Sequence, residues 1–159
     1  MIKELSFETK FGWINIKEID ERIESIQFGK KNNNNFKSKT LLKVKNQIQK
    51  YLKGQLKNFD LNIFLEGTNC QKKIWNELKK IPYGKTKSYG QIAKKLNTSP
   101  RFVGNVCGLN KHLIVVPCHR VIRSDGTLGG FSGLGGIKLK KRLLELENDE
   151  EKNYYTSTY

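Results

Sequence analysis

Residues 88–108 read SYGQIAKKLNTSPRFVGNVCG, and this pattern predicts two short helices joined by a tight turn. Ser88 can cap the first helix, in which apolar residues recur along one stripe. Pro100 stands where the second helix would begin, at the position that proline favours in helices. The apolar residues of this second helix, about 100–109, fall on one face: Val103, Val106 and Cys107. The arrangement is typical of a helix-turn-helix.

The opposite face of the second helix predicts a contact with a partner. It presents two polar side chains and two glycines: Arg101, Gly104, Asn105 and Gly108. A glycine inside a helix costs about 0.5–1 kcal/mol relative to alanine, so glycines on an outer face indicate that something presses close to the backbone. A DNA sugar-phosphate edge fits, with Arg101 near the helix N-terminus, where phosphate binds favourably. The alternative is that the glycines pack against another part of the same chain.

The charge of the chain indicates the same kind of partner. The 159 residues include 30 Lys and Arg but only 15 Asp and Glu, which gives a net charge of +15. Such a surface attracts polyanions, of which nucleic acid is the first to consider and an anionic membrane face the second. Residues 72–123 hold 12 basic residues against the single acidic Glu77. A lysine-rich proteome would make the whole chain basic, so this local excess favours nucleic acid.

The rest of the chain divides into a strand-rich part and a mostly helical part. Alternating apolar and polar residues predict strands near 2–8, 12–19 and 22–28, followed by an amphipathic helix at about 38–53. After residue 66 the predicted elements are a helix capped by Thr68, the two helices above, an apolar strand (Leu113–Val116), a glycine-rich hairpin (Asp125–Gly136) and a last helix (about 137–148). We therefore expect an N-terminal scaffold domain (1–62), a C-terminal domain (66–150) and a flexible tail (151–159).

Cysteine and histidine usage argues against several kinds of site. Cys70, Cys107 and Cys118 form no CxxC pair, and the only histidines are His112 and His119. We therefore expect neither a disulfide framework nor a zinc knuckle, and no metal or cofactor. No apolar run approaches the ~20 residues of a membrane span, and the N-terminus lacks the apolar core of a signal peptide. These features predict a protein of the reducing cytoplasm, or of a nucleus.

Cys118 lies in the segment VVPCHRV, residues 115–121, directly after the predicted apolar strand. A cysteine acts as a nucleophile only as the thiolate, so it needs a lowered pKa or a base within reach. His119 and Arg120 place an imidazole and a fixed cation next to it in the chain. Because adjacent strand residues point to opposite faces, coupling of His119 to Cys118 requires the chain to leave strand geometry, or a bridging water. The alternative is a buried thiol with a structural role only.

Seven motifs, in one order along the chain, are similar to those of a known family. They are Pro82-Tyr83-Gly84, Ser88-Tyr89-Gly90, Arg101-Phe-Val-Gly104, Asn110, Pro117-Cys118-His119-Arg120-Val121, Gly129-Gly130-Phe131-Ser132-Gly133 and Leu143-Leu144-Glu-Leu-Glu147. The family is that of the O6-alkylguanine-DNA alkyltransferases, also called methylated-DNA–protein-cysteine methyltransferases. The resemblance is continuous over about 66–148, whereas over 1–62 it extends only to general shape. The zinc ligands that some members carry in that first part have no counterparts here.

The resemblance implies a mechanism in which Cys118 accepts the alkyl group. His119 would remove the thiol proton through a water, and Glu147 would hold His119 in the right tautomer, a relay similar to hydrolase triads. Tyr89 would donate toward the flipped guanine, and Asn110 would brace the turn before the active-site strand. Taken without the resemblance, Tyr89 could be a core residue, Glu147 a solvated helix residue and Asn110 a helix C-cap.

The resemblance also implies which residues meet the DNA and the base. Arg101 would fill the place that the flipped base leaves, and further DNA contacts would come from Ser88, Tyr89, Gly104, Asn105 and Gly108. The base pocket would include Gly129, Phe131 and Ser132, with the Ser132 amide facing O6. The carbonyls of Cys118 and Val121 would read the guanine amino group. Phe131 stands where many members have tyrosine, which removes a hydroxyl from the pocket rim.

The resemblance implies an α+β fold and a DNA-repair activity. The fold would combine a small N-terminal antiparallel-sheet domain, RNase H-like, with a C-terminal helical domain that is winged helix-turn-helix-like. The activity would be an irreversible, once-per-molecule transfer of the alkyl group from O6-alkylguanine in double-stranded DNA to Cys118 by a monomer, with O4-alkylthymine as a further candidate substrate. Two other classes compete with it: a non-catalytic DNA-binding sensor or regulator, and a Cys-His peptide hydrolase.

Overall fold

Three strands at the N-terminus form an antiparallel sheet in chain order. The structure, a computed structural model, describes residues 1–31, 36–130 and 136–157. The strands β1 (Ile2–Thr9), β2 (Gly12–Ile19) and β3 (Arg22–Phe28) confirm the three predicted ones. Between β2 and β3, Asp20 and Glu21 adopt φ values of 50° and 64°, which suit a tight two-residue hairpin turn.

One helix covers a face of this sheet. The helix α1 (Lys39–Leu52) begins at Ser38, whose hydroxyl accepts the Leu41 amide at 3.0 Å. Its apolar stripe and the inner face of the sheet form one core, made of Leu5, Phe7, Ile14, Ile16, Ile23, Ile26, Leu41, Val44 and Ile48. The predicted amphipathic helix at about 38–53 is therefore confirmed.

The second part of the chain contains the predicted helix-turn-helix. A helix α2 (Asn69–Leu78) begins at Thr68, α3 (Tyr89–Leu96) at Ser88 and α4 (Pro100–Gly108) at Ser99. Asn97, at φ 55°, ends α3 in the left-handed conformation and turns the chain toward α4. The three helices bury a common core that includes Trp75, Ile92 and Val106.

The predicted strand at Leu113–Val116 is wrong. The segment contacts the outer edge of β3 through one bridge, Ile26 to His112, and then turns back on itself. The Val116 amide donates to the His112 carbonyl at 2.9 Å, and Ile114 adopts a φ of 73°. The segment is apolar because it is buried, and burial alone does not distinguish a strand from a buried loop.

The predicted hairpin at Asp125–Gly136 does not form in those of its residues that the structure describes. Residues 125–130 contain a turn but no strand, and residues 131–135 lie outside the described ranges. The strand β5 (Val121–Ile122) pairs instead in parallel with β4 (Lys87–Ser88). Carbonyls that a hairpin ladder would use accept hydrogen bonds from the Lys140 ammonium, at 2.5 Å for Leu128 and 3.2 Å for Gly130.

A long last helix joins the two parts. This helix, α5, spans Gly136–Ser157, so its predicted end near residue 148 is wrong; residues 149–157 contain neither glycine nor proline to stop it. Its Leu139 and Leu143 form a third core with Tyr51 of α1 and Ile114.

The α+β class is confirmed, while the domain boundary near 62–66 and a flexible tail stay predictions. None of the helices in the described residues is both long and apolar enough to cross a membrane.

Candidate active site

A cleft of about 610 Å³ opens beside the helix-turn-helix, and Cys118 lies in its wall. The cleft brings together residues that the sequence analysis selected separately. They are Tyr89, Arg101, Gly104, Gly108, Cys118 and Gly129. Phe131 and Ser132, also predicted for this pocket, lie outside the described residues.

Cys118 begins a single 3-10 turn, Cys118–Arg120, so the chain has left strand geometry at this point, as coupling to His119 requires. Asn110 holds the approach to this turn. Its side-chain amide donates to the Val116 carbonyl at 2.8 Å and to the Cys118 sulfur at 3.2 Å. The Asn110 side-chain oxygen accepts the His112 amide at 2.8 Å.

The thiol of Cys118 is protonated at neutral pH. Burial raises its pKa to about 11, although the Asn110 hydrogen bond and the charge of Lys140 act in the opposite direction. The surroundings of Cys118 therefore do not keep it ionised as a thiolate in the resting protein. A base must remove the proton when the thiol reacts.

The side chain next to Cys118 can be that base. His119 is fully buried, and its Nε2 lies 2.6 Å from Oε2 of Glu147. Burial lowers the pKa of His119, opposed by Glu147, so the ring is neutral at pH 7. With Nε2–H donated to the carboxylate, Nδ1 is the accepting nitrogen, and it has no hydrogen-bond partner among the described residues. This is the tautomer that a base acting on Cys118 needs.

Glu147 is ionised although it is buried. Burial opposes its charge, but hydrogen bonds and charges from His119 and Arg120 outweigh that effect and lower its pKa to about 2. Arg120 donates from Nε to Oε1 at 2.9 Å and from Nη2 to Oε2 at 3.1 Å. The Gly84 amide donates to Oε1 at 3.1 Å and the Tyr51 hydroxyl to Oε2 at 2.5 Å. Glu147 lies four residues after Leu143 on the inward stripe of its helix and is buried, so the alternative of a solvated helix residue is wrong.

Arg120 does not face the thiol that it follows in sequence. Its guanidinium contacts Glu147 and donates from Nη1 to the Ile81 carbonyl at 2.7 Å. The expectation that it acts as a fixed cation beside Cys118 is therefore wrong, because the 3-10 turn directs successive side chains to different sides. Arg120 instead pairs with the Glu147 carboxylate.

Lys140 is a site residue that sequence reasoning missed. It is fully buried, and its ammonium donates to the Val121 carbonyl at 2.6 Å and to the two carbonyls of the 128–130 segment. Burial lowers the pKa of Lys140, opposed by Cys118 and Cys107. The Val121 carbonyl, expected to read the guanine amino group, thus already accepts one hydrogen bond. A signal existed: Lys140, Leu143 and Glu147 fall at i, i+3 and i+7 on one helix face.

Tyr89 and Gly129 shape the cleft together. The Tyr89 ring is half-buried, and a Cβ added at Gly129 would lie 3.2 Å from it. Gly129 also has a φ of 70°, which a side chain would strain. The close approach of ring and backbone explains why glycine stands here.

The outer face of α4 is open. Arg101 and Asn105 are exposed, and a Cβ at Gly108 would meet no atom of the described residues within 4 Å. A Cβ at Gly104 would lie 3.8 Å from the Tyr89 ring, which is ordinary contact. Packing against the described residues therefore does not account for these glycines. The hydroxyl of Ser88 caps α3, accepting the Gln91 amide at 3.0 Å.

Sequence comparison relates the C-terminal part to known proteins. A family model described as 6-O-methylguanine DNA methyltransferase, DNA binding domain, matches residues 69–149. A methylated-DNA–protein-cysteine methyltransferase of Methanosarcina acetivorans is 46% identical over 103 residues, 64% of this chain and 65% of that protein. The inducible one of Bacillus subtilis is 47% identical over 103 residues, 64% of this chain and 56% of that protein. The match thus spans less than two thirds of these relatives.

Structural comparison extends the likeness to nearly the whole chain. A crystal structure of Mycobacterium tuberculosis O6-methylguanine methyltransferase has a TM-score of 0.81 at 31% identity and covers 94% of each chain. A structure of Mycobacterium tuberculosis OGT in complex with DNA has a TM-score of 0.83 at 32% identity and covers 92% of each chain. The N-terminal sheet and α1 therefore fall within the shared architecture.

Proposed function

Because this chain belongs to the 6-O-methylguanine DNA methyltransferase family, we propose that it repairs O6-alkylguanine in double-stranded DNA by moving the alkyl group to Cys118. The observation that carries the proposal is the buried Cys118 thiol in the wall of a cleft beside a helix-turn-helix, with the following residue, His119, hydrogen-bonded to Glu147. The monomeric state, a cytoplasmic or nuclear location and use of O4-alkylthymine stay predictions.

The proposed transfer is a single displacement. His119 accepts the Cys118 proton on Nδ1, with a bridging water as the family resemblance implies, and Glu147 stabilises the imidazolium. The sulfur attacks the alkyl carbon, the carbon–O6 bond breaks, and its electron pair stays on O6. The guanine ring takes up one proton at N1, which restores guanine, and the imidazolium gives up the proton it took from the thiol, so that the protons balance. The product at Cys118 is a thioether, which the relay cannot hydrolyse, so each molecule acts once.

Access to the alkyl group requires the nucleotide to leave the stack, at a cost of a few kcal/mol. Insertion of Arg101, exposed at the first turn of α4, offsets part of this cost. The outer face of α4 with Gly104 and Gly108 lets a groove wall approach the backbone closely, which suits minor-groove docking. The basic surface of residues 72–123 supplies the phosphate contacts.

We expect Arg101→Ala to slow repair of a methylated duplex about tenfold or more, while reaction with the free base O6-benzylguanine changes little. Only the duplex substrate needs a base extruded. Rates of alkyl transfer to the two substrates measure the difference. The matched control is Arg22→Ala, which removes an exposed arginine of β3 that is not part of the cleft. Equal losses of rate on duplex and free base would rule out an intercalating role.

A titration tests the proposed function against its two competitors. Increasing amounts of protein are added to a duplex that holds one O6-methylguanine, and the remaining lesion is counted. We expect the lesion to disappear in proportion to the protein added, with at most one lesion repaired per molecule. A DNA-binding sensor would bind the duplex and remove no lesion, and a Cys-His hydrolase would cleave peptides repeatedly.

A further inference from the structure

The hydroxyl of Tyr51 reaches the relay from the N-terminal part of the chain. Tyr51 lies on α1, is fully buried, and donates to Oε2 of Glu147 at 2.5 Å. The same hydroxyl lies 3.4 Å from Nε2 of His119. Tyr51 and Glu147 are 96 residues apart in sequence, so only the packing of α1 against α5 brings them together.

The ring of Tyr51 is held independently of its hydroxyl. It packs against Phe59, with ring centroids 5.5 Å apart, and edge-on against Tyr83 at 6.0 Å. It also belongs to the core that contains Leu139 and Leu143 of α5. The hydroxyl is therefore a donor in a fixed position, and phenylalanine would keep nearly all of this packing.

The Tyr51 hydroxyl stays protonated, and so remains a hydrogen-bond donor, across the physiological pH range. Burial raises its pKa well above the ordinary value, and the negative charge of Glu147 raises it further. The hydroxyl keeps its proton and directs it at Oε2. His119 Nε2–H and Arg120 Nη2 donate to the same oxygen.

Building on the proposed function, we propose that Tyr51 is a positioning residue of the relay, so that the N-terminal part of the chain completes the active site. The hydroxyl fixes Oε2 where Nε2–H of His119 donates to it, which keeps Nδ1 as the accepting nitrogen. It also draws negative charge from Oε2, which limits how strongly the carboxylate stabilises an imidazolium. Without the hydroxyl, His119 would hold a proton up to a higher pH.

The groups that act on His119 come from three elements. Glu147 and Lys140 belong to α5, Tyr51 belongs to α1, and Arg120 belongs to the same 3-10 turn as His119. Tyr83 contacts the Tyr51 ring edge-on. Tyr51→Phe removes one neutral donor from this set and changes no formal charge. A change in the titration of His119 therefore reports the lost hydrogen bond.

The test compares wild type with Tyr51→Phe in the full-length protein. We expect methyl transfer to a methylated duplex to slow about tenfold at neutral pH. General-base catalysis contributes more than this, and the variant loses only the hydrogen bond that positions the base, not the base itself. Transfer requires neutral His119, so the rate falls as the pH drops through the pKa of His119. This acidic limb of the pH–rate profile should move to higher pH in the variant. The His119 resonance, followed by NMR as pH is varied, should show the same upward shift without any reaction.

The control is Tyr83→Phe, which removes a neighbouring hydroxyl that donates to the Leu146 carbonyl at 3.5 Å. We expect this variant to keep the pH profile of wild type. An unchanged His119 titration in folded Tyr51→Phe, or an equal shift in Tyr83→Phe, would overturn the positioning role. If wild type itself transfers no methyl group, the proposed function fails, whereas the NMR titration still decides the role of Tyr51.

Discussion

Cys118→Ser should abolish methyl transfer to the level of the reaction without protein, while binding to methylated duplex remains. A serine hydroxyl ionises far less readily than a thiol and is a much weaker nucleophile toward an alkyl carbon, so the relay cannot activate it sufficiently. The substitution keeps the size of the side chain closely, and the Asn110 amide can donate to the new oxygen. Transfer of radiolabelled methyl from duplex to protein measures the loss, and a mobility shift measures binding.

The matched controls are Cys107→Ser and Cys70→Ser. Cys107 lines the same cleft, but burial and the neighbouring Cys118 raise its pKa to about 12, and it lies on α4 without an adjacent histidine. Cys70 is exposed. Both variants should keep transfer. Residual transfer by Cys118→Ser, or loss of transfer in Cys107→Ser with the fold intact, would show that the nucleophile is assigned wrongly.

Glu147→Gln should slow methyl transfer by roughly one to three orders of magnitude, as loss of a general-base relay does. The carboxylate accepts hydrogen bonds from His119, Arg120, Tyr51 and the Gly84 amide. A glutamine offers one oxygen to these donors and turns an NH₂ group toward the others. His119 then loses the acceptor that fixes its tautomer, and Arg120 is left as a buried charge without its partner. Single-turnover rates, with circular dichroism to check the fold, measure the effect.

The control is Glu145→Gln on the same helix. Its side chain is half exposed, and its only ion pair among the described residues, with Lys141, is 4.0 Å long. Because exposed pairs contribute little, we expect a rate within about twofold of wild type. A folded Glu147→Gln protein that transfers at the wild-type rate would disprove the relay. Arg120 could not replace it, since its guanidinium faces Glu147 rather than Cys118.

The features that the sequence predicts well are those with a local cause. The strands follow from alternation, the caps at Thr68 and Ser88 from residue type, and the helix-turn-helix from two apolar stripes separated by a turn. The inward placement of Glu147 follows from its i, i+4 relation to Leu143. The same reasoning applied to Lys140 would have predicted its burial, but lysine is so rarely buried that the pattern is easily discounted.

The features that the sequence does not predict arise from contacts across the fold. Nothing near Tyr51 distinguishes it from other apolar positions of α1, because its partner lies 96 residues away on a helix that meets α1 only in the folded chain. The turn before Cys118 depends on the Asn110 side chain, which donates to the Val116 carbonyl and accepts from the His112 amide, and on the positive φ of Ile114. No residue preference signals that conformation for isoleucine. Such strained positions cluster near functional sites, where the surrounding structure holds them.

The mass of the protein after incubation with a duplex that contains O6-methylguanine tests the central claim most directly. We predict that the whole population gains one methyl group, that peptide mapping places it on Cys118, and that an unmodified duplex produces no change. A second equivalent of methylated duplex should add nothing further. A methyl group on Cys107 or Cys70, or an unchanged mass while the lesion disappears, would contradict the account.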